Sequence, residues 1–339
     1  MRGVVYLGES EVEVRDFPDP EPGPGQVVIE MRVGGLCGSD LHKYHSSREW
    51  AVRREGMISG HEPAGVVAEI GAAVDNVVVG DRVCIYHRTG CGQCADCVSG
   101  YAASCSEGGA FGRTRDGSHA DYMLTEARYC MKLPPALSFA AGTQLACTAG
   151  TAYSAVSKVE ARPDDRIVVF GLGPVGLTTL LLARAIGYDA IGVEVHPYRV
   201  EFARLLSDGL IIDAGIDATQ AIADLRAEVG VKAVLECSGS AWARRQSTSI
   251  AGRGAVVVYV GGGNPELSVE IGDVIGKDLC LRGSSVYTMR QYYEAAQLLT
   301  ERGLSLDALV THRYPLEQAP EAFRLFDSGE SGKVIFDWT

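Results

Sequence analysis

Basic charge is scarce in this 339-residue chain: 31 Lys and Arg stand against 43 Asp and Glu, for a net charge of −12. No run of Lys and Arg offsets the deficit. A nucleic-acid partner is therefore not expected, since phosphate recognition needs clustered cations. Long apolar runs are missing too. The most extended one, GLTTLLLARAIG, is broken by Thr178, Thr179 and Arg184, and is too short and too polar to span a bilayer. No membrane partner is expected either. The opening residues MRGVVYLGESEVEVRDF carry early acids and lack the roughly 7–15-residue apolar stretch of a signal peptide. A cytoplasmic, reducing setting follows as the expectation, and disulfides rarely persist there.

What remains is an ordinary globular composition, 46% hydrophobic and 22% charged, long enough for two domains. The first 145 or so residues hold short β-branched runs such as VVIEMRVGG, AGVVAEIGAAV, DRVCIY and HADYML, divided by turn residues such as PDPEPGPG. That pattern predicts a β-rich domain. From about residue 146 the pattern changes to strands alternating with helices. DRIVVFGLG, AIGVEV, AVLECSG and GAVVVYVGGG read as strands, while PVGLTTLLLARAIG, PYRVEFARLLSDG (closed by Gly209) and SAWARRQSTSIAG read as helices. Such alternation predicts a doubly wound parallel sheet. RQYYEAAQLLTERG and LEQAPEAFRLFDSG are predicted helices, and KVIFDW a last strand.

Four of the ten cysteines fall in CGQCADCVSGYAASC: Cys91, Cys94, Cys97 and Cys105, spaced C-x2-C-x2-C-x7-C. A disulfide knot is the weakest reading in a reducing compartment, which leaves a four-thiolate zinc site and an iron–sulfur site. Elsewhere Cys37, His61 and Cys147 are good donors for a first-row metal. GLGPVG places Gly171, Gly173 and Gly176 in a G-x-G-x-x-G pattern between an apolar strand and an amphipathic helix. Dinucleotide binding needs that sequence of events: a tight turn, close approach of backbone to pyrophosphate, and free N–H groups at a helix start. Glu194 ends the next strand, near the roughly 20-residue spacing of a ribose-binding carboxylate. A carboxylate there accepts from ribose hydroxyls and repels a 2′-phosphate, which favours NAD over NADP.

CGSDLH (37–42), GHEPAGVV (60–67), the cysteine run, ACTAG (146–150) and GLGPVG (171–176) follow one another in a fixed order between residues 37 and 176. In this it resembles the zinc-dependent alcohol dehydrogenases of the medium-chain dehydrogenase/reductase superfamily. The resemblance implies a GroES-like β-rich catalytic domain (1–147 and 288–339) with a zinc lobe at about 88–108. It also implies a Rossmann NAD-binding domain (148–287) and a cleft between the two. It assigns Cys91, Cys94, Cys97 and Cys105 to a structural zinc, and Cys37, His61 and Cys147 to a catalytic zinc with an open fourth position, two zincs per chain in all. Asp40 would orient the zinc histidine and Glu62 lie beside the metal. Some polyol-type relatives carry a carboxylate where this chain has Cys147.

The same resemblance implies oxidation of a primary or secondary alcohol to aldehyde or ketone with reversible hydride transfer to NAD. Ser39 would contact the substrate oxygen and His42 pass its proton outward. Pro174 and Val175 belong to the pyrophosphate turn, and Arg199 resembles a basic residue near the adenosine ribose. Val260, in YVGGG (259–263), and the stretch GSSVY (283–287) would line the nicotinamide, and Lys333 stands where relatives often bind pyrophosphate with Arg. Trp50, Tyr86 and His87 are candidates for the substrate pocket. A homo-oligomer is implied, a tetramer before a dimer. Two alternatives share the scaffold: a polyol, amino-alcohol or threonine-type dehydrogenase, and a non-catalytic binding protein.

Overall fold

The computed structural model describes residues 1–54, 56–227, 230–263, 266 and 268–339, without the side chains of 224, 226 and 227. Two units emerge. Met1–Gly150 and Thr288–Thr339 form the first, Thr151–Tyr287 the second.

In the first unit the ten-residue strand Gln26–Gly35 is the organiser. It pairs antiparallel with Pro63–Ile70, with Tyr122–Glu126 and, at its far end, with Lys333–Asp337. Its register decides where chemistry gathers. Gly34 pairs with Pro63, so the residues just after 35 and just before 63 leave the sheet at the same edge. The sheet continues through Arg82–Ile85 to Cys130–Lys132 on one side, and through Lys333–Asp337 to Val310–Tyr314 on the other. The helix Phe139–Leu145 starts at Ser138, whose hydroxyl accepts from the Ala141 N–H, a good N-cap. It is buried along almost its whole length. A second apolar cluster joins Val4, Tyr6, Leu36 and Tyr44 to Phe323, Phe326 and Phe336. Phe323 and Phe326 come from the helix Ala319–Ser328.

The second unit is built on six parallel strands. In chain order they are Arg166–Phe170, Asp189–Glu194, Ile211–Asp213, Val231–Glu236, Val256–Tyr259 and Cys280–Gly283. They lie side by side in the order 3-2-1-4-5-6, which is the doubly wound arrangement. IVVF, AVL and VVVY are apolar and rich in valine and isoleucine, as strands covered on both faces require. The helix Pro174–Ile186 follows the first strand and closes on Gly187, left-handed at φ 112°. One expected boundary moves. The helix beginning at Pro197 ends at Leu206, not at Gly209. A Cβ at Gly209 would stand 2.2 Å from Arg184 Nη1, so that glycine makes room for a neighbouring guanidinium and does not cap a helix. Among the described residues no helix is long and apolar enough to cross a membrane.

Candidate metal and dinucleotide sites

Cys37 follows the end of Gln26–Gly35 and caps the short helix Gly38–Tyr44, while His61 and Glu62 precede Pro63–Ile70. The register brings these three together, and the turn after Phe139–Leu145 adds Cys147. One donor atom from each of Cys37, His61, Glu62 and Cys147 lies within 4.8 Å of the others. A tetrahedral zinc with Zn–S near 2.3 Å sets its ligand atoms roughly 3.8 Å apart, so the cluster suits such an ion. The surroundings are arranged for charge. Asp40 is fully buried; its Oδ1 lies 3.1 Å from His61 Nδ1 and its Oδ2 accepts from the Cys37 N–H at 3.0 Å. Burial pushes the His61 pKa down, but Asp40 and Cys37 outweigh it, and the net value rises to about 10. A hydrogen bond from the Cys147 thiol holds Cys37 well below the usual thiol range. Ser39, exposed, places its hydroxyl 3.3 Å from His61 Nε2 and 3.5 Å from Cys37 Sγ. His42 is exposed one turn further along the same helix, on the same side as Ser39. His87 lies against the cluster with its ring centroid 5.5 Å from that of His61, and its Nδ1 hydrogen-bonds the Ala146 carbonyl at 2.8 Å.

Cys91, Cys94, Cys97 and Cys105 also meet within 4.8 Å. Two short paired strands, Arg88–Thr89 and Gly109–Ala110, close the segment at its base. Between them the four-residue helix Ala95–Val98 and a 3-10 turn at Ala102–Ser104 supply little regular structure of their own. Backbone N–H groups of Gln93 and Cys94 lower the Cys91 pKa to about 7. Backbone N–H groups also reach the sulfurs, Cys91 N donating to Cys105 Sγ at 3.3 Å and Cys94 N to Cys91 Sγ at 3.4 Å, and the four sulfurs together match a closed thiolate shell.

In the second unit, Gly171 turns the chain at φ +79° directly after the first strand, a conformation that favours glycine. A Cβ at Gly176 would fall 1.7 Å from the Gly171 carbonyl oxygen, so this position demands glycine for packing. Gly173 differs. A Cβ there would meet only the Arg199 guanidinium, 3.8 Å away, at the uncapped start of the helix Pro174–Ile186. Space, free N–H groups and a nearby cation suit a pyrophosphate. Glu194 is buried, its Oε2 accepting from the Leu172 N–H at 2.7 Å and its Oε1 from Val195 and His196 at 2.7 and 3.0 Å. Val260 donates its N–H to the Glu236 carbonyl at 2.8 Å.

Residues 23–135 match the alcohol dehydrogenase GroES-like domain family, and residues 174–301 the zinc-binding dehydrogenase family. The chain belongs to the zinc-dependent alcohol dehydrogenase family of the medium-chain dehydrogenase/reductase superfamily. It is 38% identical to the uncharacterized zinc-type alcohol dehydrogenase-like protein YphC of Escherichia coli (strain K12), over 98% of both chains. It is 31% identical to a sorbitol dehydrogenase of Halalkalibacterium halodurans, over 97% of this chain and 96% of that one. Among solved structures, alcohol dehydrogenase TADH from Thermus sp. ATN1 superposes with a TM-score of 0.90 at 28% identity, covering 99% of each chain. The protein is thus a zinc-type oxidoreductase with a GroES-like and a Rossmann-like unit.

Two expected placements in this dehydrogenase, those of Lys333 and Tyr86, are corrected by the structure. Lys333, expected at the pyrophosphate, is wholly buried in the first unit, where its ammonium pairs with Glu62 Oε2 and donates to Leu36 O at 2.8 Å and Thr148 Oγ1 at 3.0 Å. A buried ammonium with those partners has no surface left for a phosphate. Tyr86, expected to line the substrate pocket, is 0% exposed and serves as packing beneath His87. Trp50, the other pocket candidate, is half-buried. Its ring meets Tyr6 edge-on at 6.5 Å and carries Arg54 on its face at 4.4 Å. Sequence reasoning missed Tyr6, whose hydroxyl donates to Asp40 Oδ1 at 3.0 Å. It also missed Thr148, which donates to Glu62 Oε1 at 3.0 Å. Thr148 follows Cys147 directly and was within reach of a spacing argument; Tyr6 lies thirty-odd residues upstream with no local signal.

Proposed function

We propose that the protein oxidises a primary or secondary alcohol to the aldehyde or ketone with NAD as hydride acceptor, reversibly. One observation carries this reading: an open donor set (Cys37, His61 and Cys147), a closed four-thiolate set, and a glycine turn with space for a pyrophosphate occur in one chain. When bound, zinc supplies Lewis acidity toward an alcohol oxygen and NAD supplies the hydride acceptor.

The chain's own groups do the rest. Cys37, His61 and Cys147 hold the catalytic metal, and Asp40 fixes the His61 ring through Nδ1, leaving Nε2 to face the metal. Glu62, engaged by Thr148 and Lys333, borders the site as a buried carboxylate. Ser39 would relay the substrate hydroxyl proton, giving up its own hydroxyl proton as it takes up the substrate's, and His42 would pass the released proton to solvent. Cys91, Cys94, Cys97 and Cys105 hold the structural zinc that shapes residues 88–108. Gly171, Gly173, Pro174, Val175 and Gly176 cradle the pyrophosphate, with Arg199 adding positive charge. Glu194, kept in place by three backbone N–H groups, presents a negative group that a 2′-phosphate would oppose, which supports NAD over NADP.

The similarity to a sorbitol dehydrogenase supports a second reading, a polyol as substrate. A sulfur donor, Cys147, in the third ligand position favours the simpler alcohols. The test is NAD reduction followed by ultraviolet absorbance over a panel of alcohols, polyols and amino alcohols, with metal analysis on the same samples. Turnover of an alcohol that stops on zinc chelation supports the first reading, and selective turnover of vicinal polyols the second. A fully metallated chain inert to every alcohol with either cofactor overturns both.

A further inference from the structure

A buried ion pair in the second unit braces the two loops that follow its fourth and fifth strands. Glu236, the last residue of Val231–Glu236, is 0% exposed. Its Oε1 accepts from the Ser238 N–H at 2.7 Å, the Ser238 hydroxyl at 2.5 Å and the Gly239 N–H at 2.9 Å, fixing the loop after its own strand. Its backbone carbonyl accepts from Val260 at 2.8 Å and Gly261 at 3.0 Å, fixing the start of the loop after Val256–Tyr259. Its Oε2 receives no hydrogen bond among the described residues and lies 3.7 Å from Arg244 Nε. Arg244, on the helix Ala241–Ile250 and 7% exposed, donates across the second loop to Gly261 O at 2.8 Å and Glu266 O at 2.7 Å.

These loops touch each other and the pyrophosphate turn. A Cβ on Gly261 would stand 2.2 Å from the Gly239 nitrogen, and one on Gly171 would stand 2.6 Å from Ser238 Cβ. With strand order 3-2-1-4-5-6 the direction of winding reverses between the first and fourth strands. Ligands of such sheets bind beyond the carboxyl ends of the strands at that reversal. The glycine turn and Glu194 lie on the first and second strands, on one side of it. The loops tied by Glu236 and Arg244 lie on the other.

Taking the dinucleotide reading above as its base, we propose that Glu236 and Arg244 are positioning residues for the nicotinamide half of the cofactor. Neither needs to touch it. They hold the backbone of 238–239 and 260–261 in the one arrangement that receives the nicotinamide riboside, while the adenosine half depends on the glycine turn, Glu194 and Arg199. Removing either partner takes the buried counter-charge from the other, and the loops lose their common anchor.

The test compares two probes by calorimetry on the full chain: NADH, which has both halves, and ADP-ribose, which lacks the nicotinamide. E236Q and R244M are each expected to weaken NADH binding about 10–100-fold, the scale of misplacing a binding surface by an ångström, with ADP-ribose binding unchanged. The double variant E236Q/R244M is expected to bind NADH no worse than the weaker single variant, because the two side chains act as one unit. Should E236Q fail to fold, R244M alone decides, since Arg244 lies on a helix beside the sheet and not on a core strand. Equal losses for both probes would mark the pair as purely structural and overturn the proposal, as would unchanged NADH binding or additive losses in the double variant. A wild-type chain that binds neither probe would instead refute the dinucleotide reading itself.

Discussion

Replacing Gly35 by alanine perturbs the metal-donor cluster without replacing any of its donor residues. Gly35 has an ordinary strand conformation, so alanine brings no backbone strain. The added Cβ, however, would stand 2.1 Å from Glu62 Oε2 and 3.0 Å from Lys333 Cε. Both side chains are fully buried, and the Lys333 ammonium also serves Leu36 and Thr148. The carboxylate cannot retreat without leaving its ammonium. Overpacking a core costs about 1–3 kcal/mol, and separating a buried ion pair about 3–5 kcal/mol. Partial relaxation puts the expected loss at roughly 2–4 kcal/mol. For a unit of about 200 residues that lowers Tm by roughly 4–16 °C. Differential scanning calorimetry reads this as a shift of the first unit's transition alone. G272A is the control, since a Cβ at Gly272 in the helix Ile271–Gly276 meets nothing within 4 Å and should be neutral or mildly stabilising. A G35A chain that melts with wild type would refute the packing assigned to Glu62 and Lys333.

Other consequences follow from the same geometry. Cys94→Ser removes one of four converging sulfurs and should lower bound zinc by one per chain, read by metal analysis, with protease cleavage newly admitted between residues 88 and 108. Gly173→Ala should leave Tm unchanged but weaken dinucleotide binding about tenfold, whereas Gly176→Ala should lower Tm, because only the second Cβ collides with protein. Equal effects on stability would refute the assignment of open space to Gly173. His119 is wholly buried between Ser59 and the Gly35 carbonyl, and burial lowers its pKa to about 4. The unfolded chain takes up a proton near the ordinary value of about 6.5, which the folded chain refuses until about 4. Stability should therefore fall as pH drops through that window, by roughly 3 kcal/mol in all. Urea titrations at several pH values should show the slope in wild type and a reduced one in H119Q.

The chemistry-bearing spacing was legible because it is local. Four cysteines within fifteen residues and three glycines within six each carry their own reason, and the hydrophobic period distinguished a β-rich first part from an alternating second. What escaped depends on contacts between distant strands. The role of Lys333 is decided by Lys333–Asp337 pairing antiparallel with Gln26–Gly35, which brings its ammonium to Glu62 and Thr148. Nothing in SGKVIFDW announces that partner. Tyr6 reaches Asp40 through the same kind of long-range packing. Tyr86 and His87 are neighbours in sequence, yet only His87 lies beside His61 while Tyr86 is sealed in the core, a distinction that composition does not carry. Glu194 was recognisable as the acid ending the second strand, but not as a carboxylate already held by three backbone N–H groups.

The central claim is that alcohol oxidation by NAD takes place at a zinc held by Cys37, His61 and Cys147. Its most direct test is zinc content and NADH formation measured together on wild type and on H61A. The account predicts two zincs per chain with turnover of at least one alcohol in wild type, and in H61A one zinc, an intact fold by circular dichroism and no turnover. Undiminished turnover in H61A, or a wild-type chain with both metals in place that reduces NAD with no alcohol, would contradict it.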